Sequence, residues 1–335
     1  MKKRKLIYVL LAGLAFTACS NEDQAVQQPQ KQSRPLTIEV TENPLIQDGE
    51  EGSNSNRAAI TTTSDLTAFK LDYVYTKNET KYTNGEGNAY SATNTSGTWT
   101  TTGGWPDTGD NNTEVNWYAY SDGTFNLTDA TPKLPYINFT VEESAASQKD
   151  LLVATASGTY SGTGGNLSFN FDHACAAVRF YVKKSTNLDS YTVSVSSIVL
   201  KNVVKQGKYY FGTGAWELSD TRSNYTLLSS AKTLASNAYD LLNGSADNSY
   251  LFLIPQTLTP WNHTTAIASA TTQTYLEVTC NITGTINYSG TAYIPFTIST
   301  SEGNQTLQKG KKYDVKINIG KNSLYSGPNT LIINP

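Results

Sequence analysis

The chain has 335 residues, enough for one large or two ordinary domains, with a net charge of −3 and an isoelectric point near 5.5. That balance offers no basic field to hold nucleic acid or an anionic membrane. Charged residues make up only 16%, whereas Tyr (21) and Gly (24) stand out beside abundant Thr, Ser and Asn. This is the profile of an extracellular β protein, in which β-branched and aromatic residues suit pleated, half-buried surfaces and Gly, Asn and Ser supply turns.

The N-terminus reads as an export signal. Lys2, Lys3, Arg4 and Lys5 form a cationic start, and residues 6–16 are apolar apart from Gly13. The run is shorter than the roughly 20 apolar residues of a stable membrane span. It ends in Phe16-Thr17-Ala18-Cys19, small residues before a thiol that can be acylated, although Phe16 departs from the usual aliphatic residue there. The expectation is a lipoprotein signal peptide over 1–18, a lipidated Cys19, and contact with a membrane through that lipid alone. No second apolar run approaches spanning length.

Residues 20–56 are polar at both ends around one ordered-looking island, Leu36-Thr-Ile38-Glu-Val40, whose strict alternation predicts a half-buried strand. Pro44 and the polar residues after it break the pattern, and Arg57-Ala58 then places an isolated arginine in an uncharged stretch. Strand candidates follow at 68–75, 98–101, 115–120, 137–141, 151–156, 167–171 and 176–182. They continue at 191–204, 208–211, 250–254, 274–282, 291–299 and 312–319. Short strands with Gly, Asn and Asp between them point to antiparallel sandwiches rather than βαβ units. Residues 227–242 and 142–149 are the windows with some helical period, and Gly162 to Gly165 reads as a hairpin turn. The strand count suggests two stacked sandwiches meeting near residues 160–175.

Sites for chemistry are sparse. His173 and His263 are the two histidines, and no His-x-His or Cys-x-x-Cys spacing or Gly-x-Ser-x-Gly turn accompanies them. His173, beside Asp172 at a strand junction, reads as structural. Asp107 and Asp110 with Asn111 and Asn112 could hold calcium but lack the regular spacing and the closing glutamate. Trp99 and Trp105 could stack on sugar rings, and local packing is the simpler reading. Cys175 and Cys280, each in an apolar alternating segment, leave open a disulfide or two small buried core residues. The sequence therefore predicts no enzyme, no metal site and no cofactor.

Several segments together resemble the fimbrillin family of Bacteroidetes, the type V pilus subunits. They are Asp150-Leu-Leu-Val-Ala154, Leu167-Ser-Phe169-Asn-Phe171-Asp-His173-Ala-Cys-Ala-Ala177-Val-Arg-Phe180 and Phe252-Leu-Ile-Pro255-Gln256. Leu307-Gln-Lys-Gly310-Lys-Lys-Tyr313-Asp-Val-Lys-Ile317 is similar to the family's last core strand, and Val115-Asn-Trp-Tyr-Ala-Tyr120 fits its first domain. Glu22 and Asp23 after Cys19 likewise resemble surface-export signals of Bacteroidetes lipoproteins. The resemblance implies two stacked transthyretin-like antiparallel β-sandwich domains. It also implies export as a lipoprotein, cleavage by an arginine-specific surface protease, and polymerisation in which a neighbour's C-terminal segment replaces the removed first strand.

Carried onto this sequence, the resemblance gives a signal peptide over 1–18 and a propeptide over 19–57, with sandwiches over 58–165 and 166–320 and a donor tail over 321–335. Leu36, Ile38 and Val40 form the removable strand. The cut falls between Arg57 and Ala58, because Arg34 precedes Pro35 and that bond resists most endoproteases. Leu331 and Ile333 are the donor residues. Partners would be other subunits, in a homo- or heteropolymer, the protease, and a host or bacterial surface receptor. The precursor belongs at the outer membrane and the processed chain in the fimbrium, supporting adhesion. A tip adhesin, or a surface glycan-binding lipoprotein of a polysaccharide-uptake system, is the alternative.

Overall fold

The structure, a computed structural model, describes residues 34–47 and 66–321, apart from 86, 130–132, 243–249, 286, 299 and 301–302. Its strands form where apolar residues alternate. In Asn166–His173, Leu167, Phe169, Phe171 and His173 point inward while the polar residues between them face out. Lys311–Ile319 repeats the pattern with Tyr313, Val315, Ile317 and Ile319.

The described strands make four sheets. The largest has eight strands. Its path runs Thr37–Glu42, Asn166–His173, Leu152–Gly158, Val115–Tyr120, Ala68–Lys77, Tyr90–Thr95, Thr98–Thr101, with Thr80–Thr83 also paired to Ala68–Lys77. This sheet curls towards closure. Arg34, before its first strand, bridges Trp105, beyond its last, and the Trp105 amide donates to the Arg34 carbonyl at 3.0 Å. Inside the curl lies a core of Phe69, Leu71, Trp105, Trp117, Phe169 and Phe171. Tilted and edge-on ring contacts knit it, Phe69–Phe171 at 5.0 Å and Trp105–Trp117 at 5.4 Å among them.

Two five-stranded sheets and one four-stranded sheet form the rest. Ala176–Lys184 pairs in parallel with Lys311–Ile319, and Thr192–Val204 lies between Arg222–Leu228 and Tyr275–Thr283. The four-stranded sheet joins Thr124–Leu127 and Pro135–Thr140 to Gln206–Tyr210 and Ala215–Leu218. A second core, with Phe139, Val178, Phe180, Ile198 and Leu276, runs through these sheets, and Val74, Tyr120 and Val153 of the curled sheet join it. The all-β sandwich architecture expected from the sequence is the one observed.

Several local expectations need correction. Asn166–His173, expected to open the C-terminal sandwich, is a strand of the first sheet, because its ladder partners are Thr37–Glu42 and Leu152–Val153. Of the two helical windows one fails: residues 222–228, 232–233 and 240–241 are strands, whereas 142–149 does hold a short helical turn, the 3-10 turn Ala145–Ser147. The glycine run at 162–165 lies, as expected, in the connection between two antiparallel strands, Leu152–Gly158 and Asn166–His173, but that connection is built on a one-turn helix, Tyr160–Thr163. Thr159 caps that turn by accepting from the Gly162 amide, and left-handed Gly164 ends it. Cys175 and Cys280 are both free and buried.

Candidate functional site

The segment 34–47 is attached along the edges of two sheets. Thr37–Glu42 is the edge strand of the curled sheet and pairs in parallel with Asn166–His173, matching Ile38 with Leu167, Val40 with Phe169 and Glu42 with Phe171. Backbone bonds from Thr37 to Gly165 at 2.9 Å and from Asn43 to Phe171 at 2.8 Å close the two ends of the ladder. The chain then turns, buries Leu45, and lays Ile46–Gln47 in parallel against the start of Lys311–Ile319. The Ile46 amide donates to the Gly310 carbonyl at 2.9 Å.

Alternation decides which side chains of the first strand enter the core. Ile38 is 6% exposed, and Leu36 and Val40 pack half-buried beside it. On the outer face Thr41 donates to Asn170 at 3.0 Å and Ser168 to Glu39 at 3.2 Å, while Asn43 donates to Asp172 at 2.7 Å where the strand ends. Gly165 makes the close approach possible. Its backbone is left-handed (φ +86°), and a Cβ there would stand 2.3 Å from the Pro35 carbonyl oxygen.

Glu42 continues the inward row of Ile38 and Val40, and there it meets His173. The two side chains are 2% and 1% exposed, with Glu42 Oε1 3.3 Å from His173 Nε2. The opposite ring nitrogen, Nδ1, makes a short hydrogen bond to Asp150 Oδ2. Burial alone would push the imidazolium pKa down. The hydrogen bonds and charges of Asp150 and Glu42 outweigh it and carry the pKa up to about 9. His173 thus links the first strand, through Glu42, to the body of the protein, through Asp150.

The other residues singled out in the sequence fall into place as structure. Trp105 is buried against Trp117 and Tyr160, and Trp99 packs on Phe69 with ring centres 4.9 Å apart. Both serve the core of the curled sheet. Asp107 accepts from Gly109 and pairs with Arg34, and Asp110 accepts from Asn112, so these carboxylates organise turns. No group of three potential metal ligands occurs among the described residues. Cys19, Arg57, Ala58, Leu331 and Ile333 lie outside the described residues. Glu42 and Asp150 were not singled out in the sequence. Extending the Leu36-Ile38-Val40 alternation by one step would have flagged Glu42, a carboxylate on a buried row.

The described residues thus form an all-β sandwich with an amphipathic edge strand. The fimbrillin-like family model matches residues 56–333, and the chain belongs to that family. A fimbrial protein from Bacteroides vulgatus is similar in fold at 20% identity, with a TM-score of 0.56 over 87% of this chain and 96% of that one. A fimbrial assembly protein from Parabacteroides distasonis aligns at 14% identity and a TM-score of 0.39, over 84% of this chain and 89% of that one. No curated protein matches the chain. No described helix is long and apolar enough to cross a membrane.

Proposed function

We propose that the chain is a structural subunit of a fimbria, exported as a lipoprotein through Cys19, cut after Arg57 by an arginine-specific surface protease, and polymerised by strand exchange. The observation that carries this reading is the attachment of Thr37–Glu42. It is an edge strand with one neighbour, it fills the core through alternate side chains, and it precedes the expected cut. The family match supports the reading by beginning at residue 56, which leaves the first strand outside it.

Removal of 34–57 would bare the edges of Asn166–His173 and Lys311–Ile319 together with the pockets of Ile38 and Leu45. Each of those two side chains contributes about 1.5–3 kcal/mol on burial, and half-buried Leu36 and Val40 add about half as much each. The vacated groove is therefore both unstable alone and suited to another strand, with backbone bonds giving affinity and alternate side chains giving register. Leu331 and Ile333 in the 321–335 tail alternate as a donor needs. Other subunits are the partners of this assembly, and a host or bacterial receptor is the target of its adhesion.

Arg57→Ala tests the mechanism. The variant should accumulate on the cell surface as a full-length monomer and form no SDS-resistant ladder. A mature chain that still begins at Cys19 and polymerises would remove cleavage from the mechanism.

A further inference from the structure

When the first strand leaves, Glu42 leaves with it, whereas His173 and Asp150 stay. Asp150 holds the imidazole through Nδ1, so Nε2 faces the place where a strand lies, in line with Leu167, Phe169 and Phe171. The charges near it are Asp172, which accepts from Asn43, and Lys309 and Lys311, which line with Pro44, Ile46 and His173 itself the cleft beside the strand. A strand that covered His173 with an apolar side chain would bury a polar, readily charged N–H without an acceptor, which is costly.

We propose that His173, oriented by Asp150, selects the strand that occupies this groove, and that the strand replacing Leu36–Glu42 comes from another subunit and carries a carboxylate at the register of Glu42. The inference rests on the strand-exchange reading above. Its template is the resident segment: three apolar residues at alternate positions, then an acidic residue two positions beyond the third. Residues 321–335 contain no Asp or Glu. Their side chains offer neutral acceptors only, Asn322, Asn329 and Asn334 among them. The groove therefore discriminates against a copy of this chain's own tail and in favour of a partner subunit with an acidic donor strand.

The test uses the full chain, cut after Arg57 with an arginine-specific protease and left with its N-terminal fragment bound. Fluorescent peptides then compete for the groove: the 34–47 sequence, the same sequence with Glu42→Gln or Glu42→Leu, and the 321–335 sequence. The 34–47 peptide should exchange in. Glu42→Leu should bind about 10- to 100-fold more weakly, the loss expected when a buried imidazolium is left without the carboxylate it faces, with Glu42→Gln between them and 321–335 below the resident sequence. In the His173→Leu protein the order should reverse, so that the Glu42→Leu peptide binds at least as well as the unaltered one. A groove that is merely damaged would weaken every peptide alike. Should His173→Leu fail to fold, the peptide series on the unaltered chain decides. Equal binding of 34–47 and its Glu42→Leu variant, or tighter binding of 321–335, overturns the proposal and leaves strand exchange standing. If no peptide enters, strand exchange falls, and the proposal falls with it.

Discussion

Replacing Ile38 by Asp should detach the first strand without unfolding the protein. Ile38 is the most buried apolar residue of Thr37–Glu42. Its loss alone costs about 2–5 kcal/mol as a truncation in a packed site, and a carboxylate there adds a desolvation penalty. The gross apolar stabilisation from Leu36, Ile38, Val40 and Leu45 is about 5–9 kcal/mol before any ordering cost. A penalty of this size removes most of it, so the segment should undock. The consequences should also spread in a definite direction. Asn166–His173 is paired to Leu152–Gly158 only at its end, Asp172 and His173, so residues 166–171 have the first strand as their ladder partner. Hydrogen exchange followed by mass spectrometry should therefore show lost protection over 36–42 and 166–171 and unchanged protection over 176–184 and 192–204. Global loss of protection would mean that the segment is integral to the fold, and a stable acceptor groove could not exist. Unchanged protection at 36–42 would mean that Ile38 does not hold the strand.

Asp72 gives a prediction independent of assembly. It is 3% exposed, and burial raises its pKa to about 6 from 3.8, despite the hydrogen bond it accepts from Tyr120 at 2.8 Å. The native state thus holds this proton more tightly than the unfolded chain, so the group lowers stability progressively as pH rises from about 4 to 6, by up to about 3 kcal/mol. Asp72→Asn keeps an acceptor for Tyr120, so it should be more stable than the parent at pH 7, with the difference vanishing below pH 4 in denaturant titrations. A difference that does not change with pH would refute the assignment. For the tail, Leu331→Asp with Ile333→Asp should leave a chain that folds and is cleaved but shortens the SDS-resistant assemblies on cells, whereas Asn329→Ser should not. Unfolding of the double variant as a monomer would instead make the tail part of its own fold.

How far the sequence could be read depended on amphipathicity. Leu36-Ile38-Val40, Leu167-Phe169-Phe171 and Val315-Ile317-Ile319 each advertise one buried face, and all three lie in strands of the structure. Thr80–Thr83 and Tyr90–Thr95 passed unnoticed because they are mostly polar and exposed, and pair through backbone groups that carry no side-chain signal. The window 227–242 suggested a helical turn, yet Leu227, Leu234 and Leu242 each reach the core from a strand or a short connection between strands. The Glu42–His173–Asp150 cluster was illegible for a different reason. Its members lie on three segments far apart in the chain, brought together by the parallel pairing of the first strand, and a single sequence gives no sign of strand order.

The same attachment has a mechanical consequence. On the proposed processing, the lipid sits at the start of a fragment whose far end is the cut at Arg57, and the only described grip of that fragment on the body is the 34–47 segment. A nicked subunit would therefore remain moored to the bilayer by a non-covalent tether. Cutting and departure are then separate events, and a subunit comes free when an incoming strand displaces its mooring. Tension on the lipid would be borne by the ladder that joins Thr37–Glu42 to Asn166–His173. Nicked subunits would thus be held in place until a partner arrives, and growth would be confined to the membrane surface.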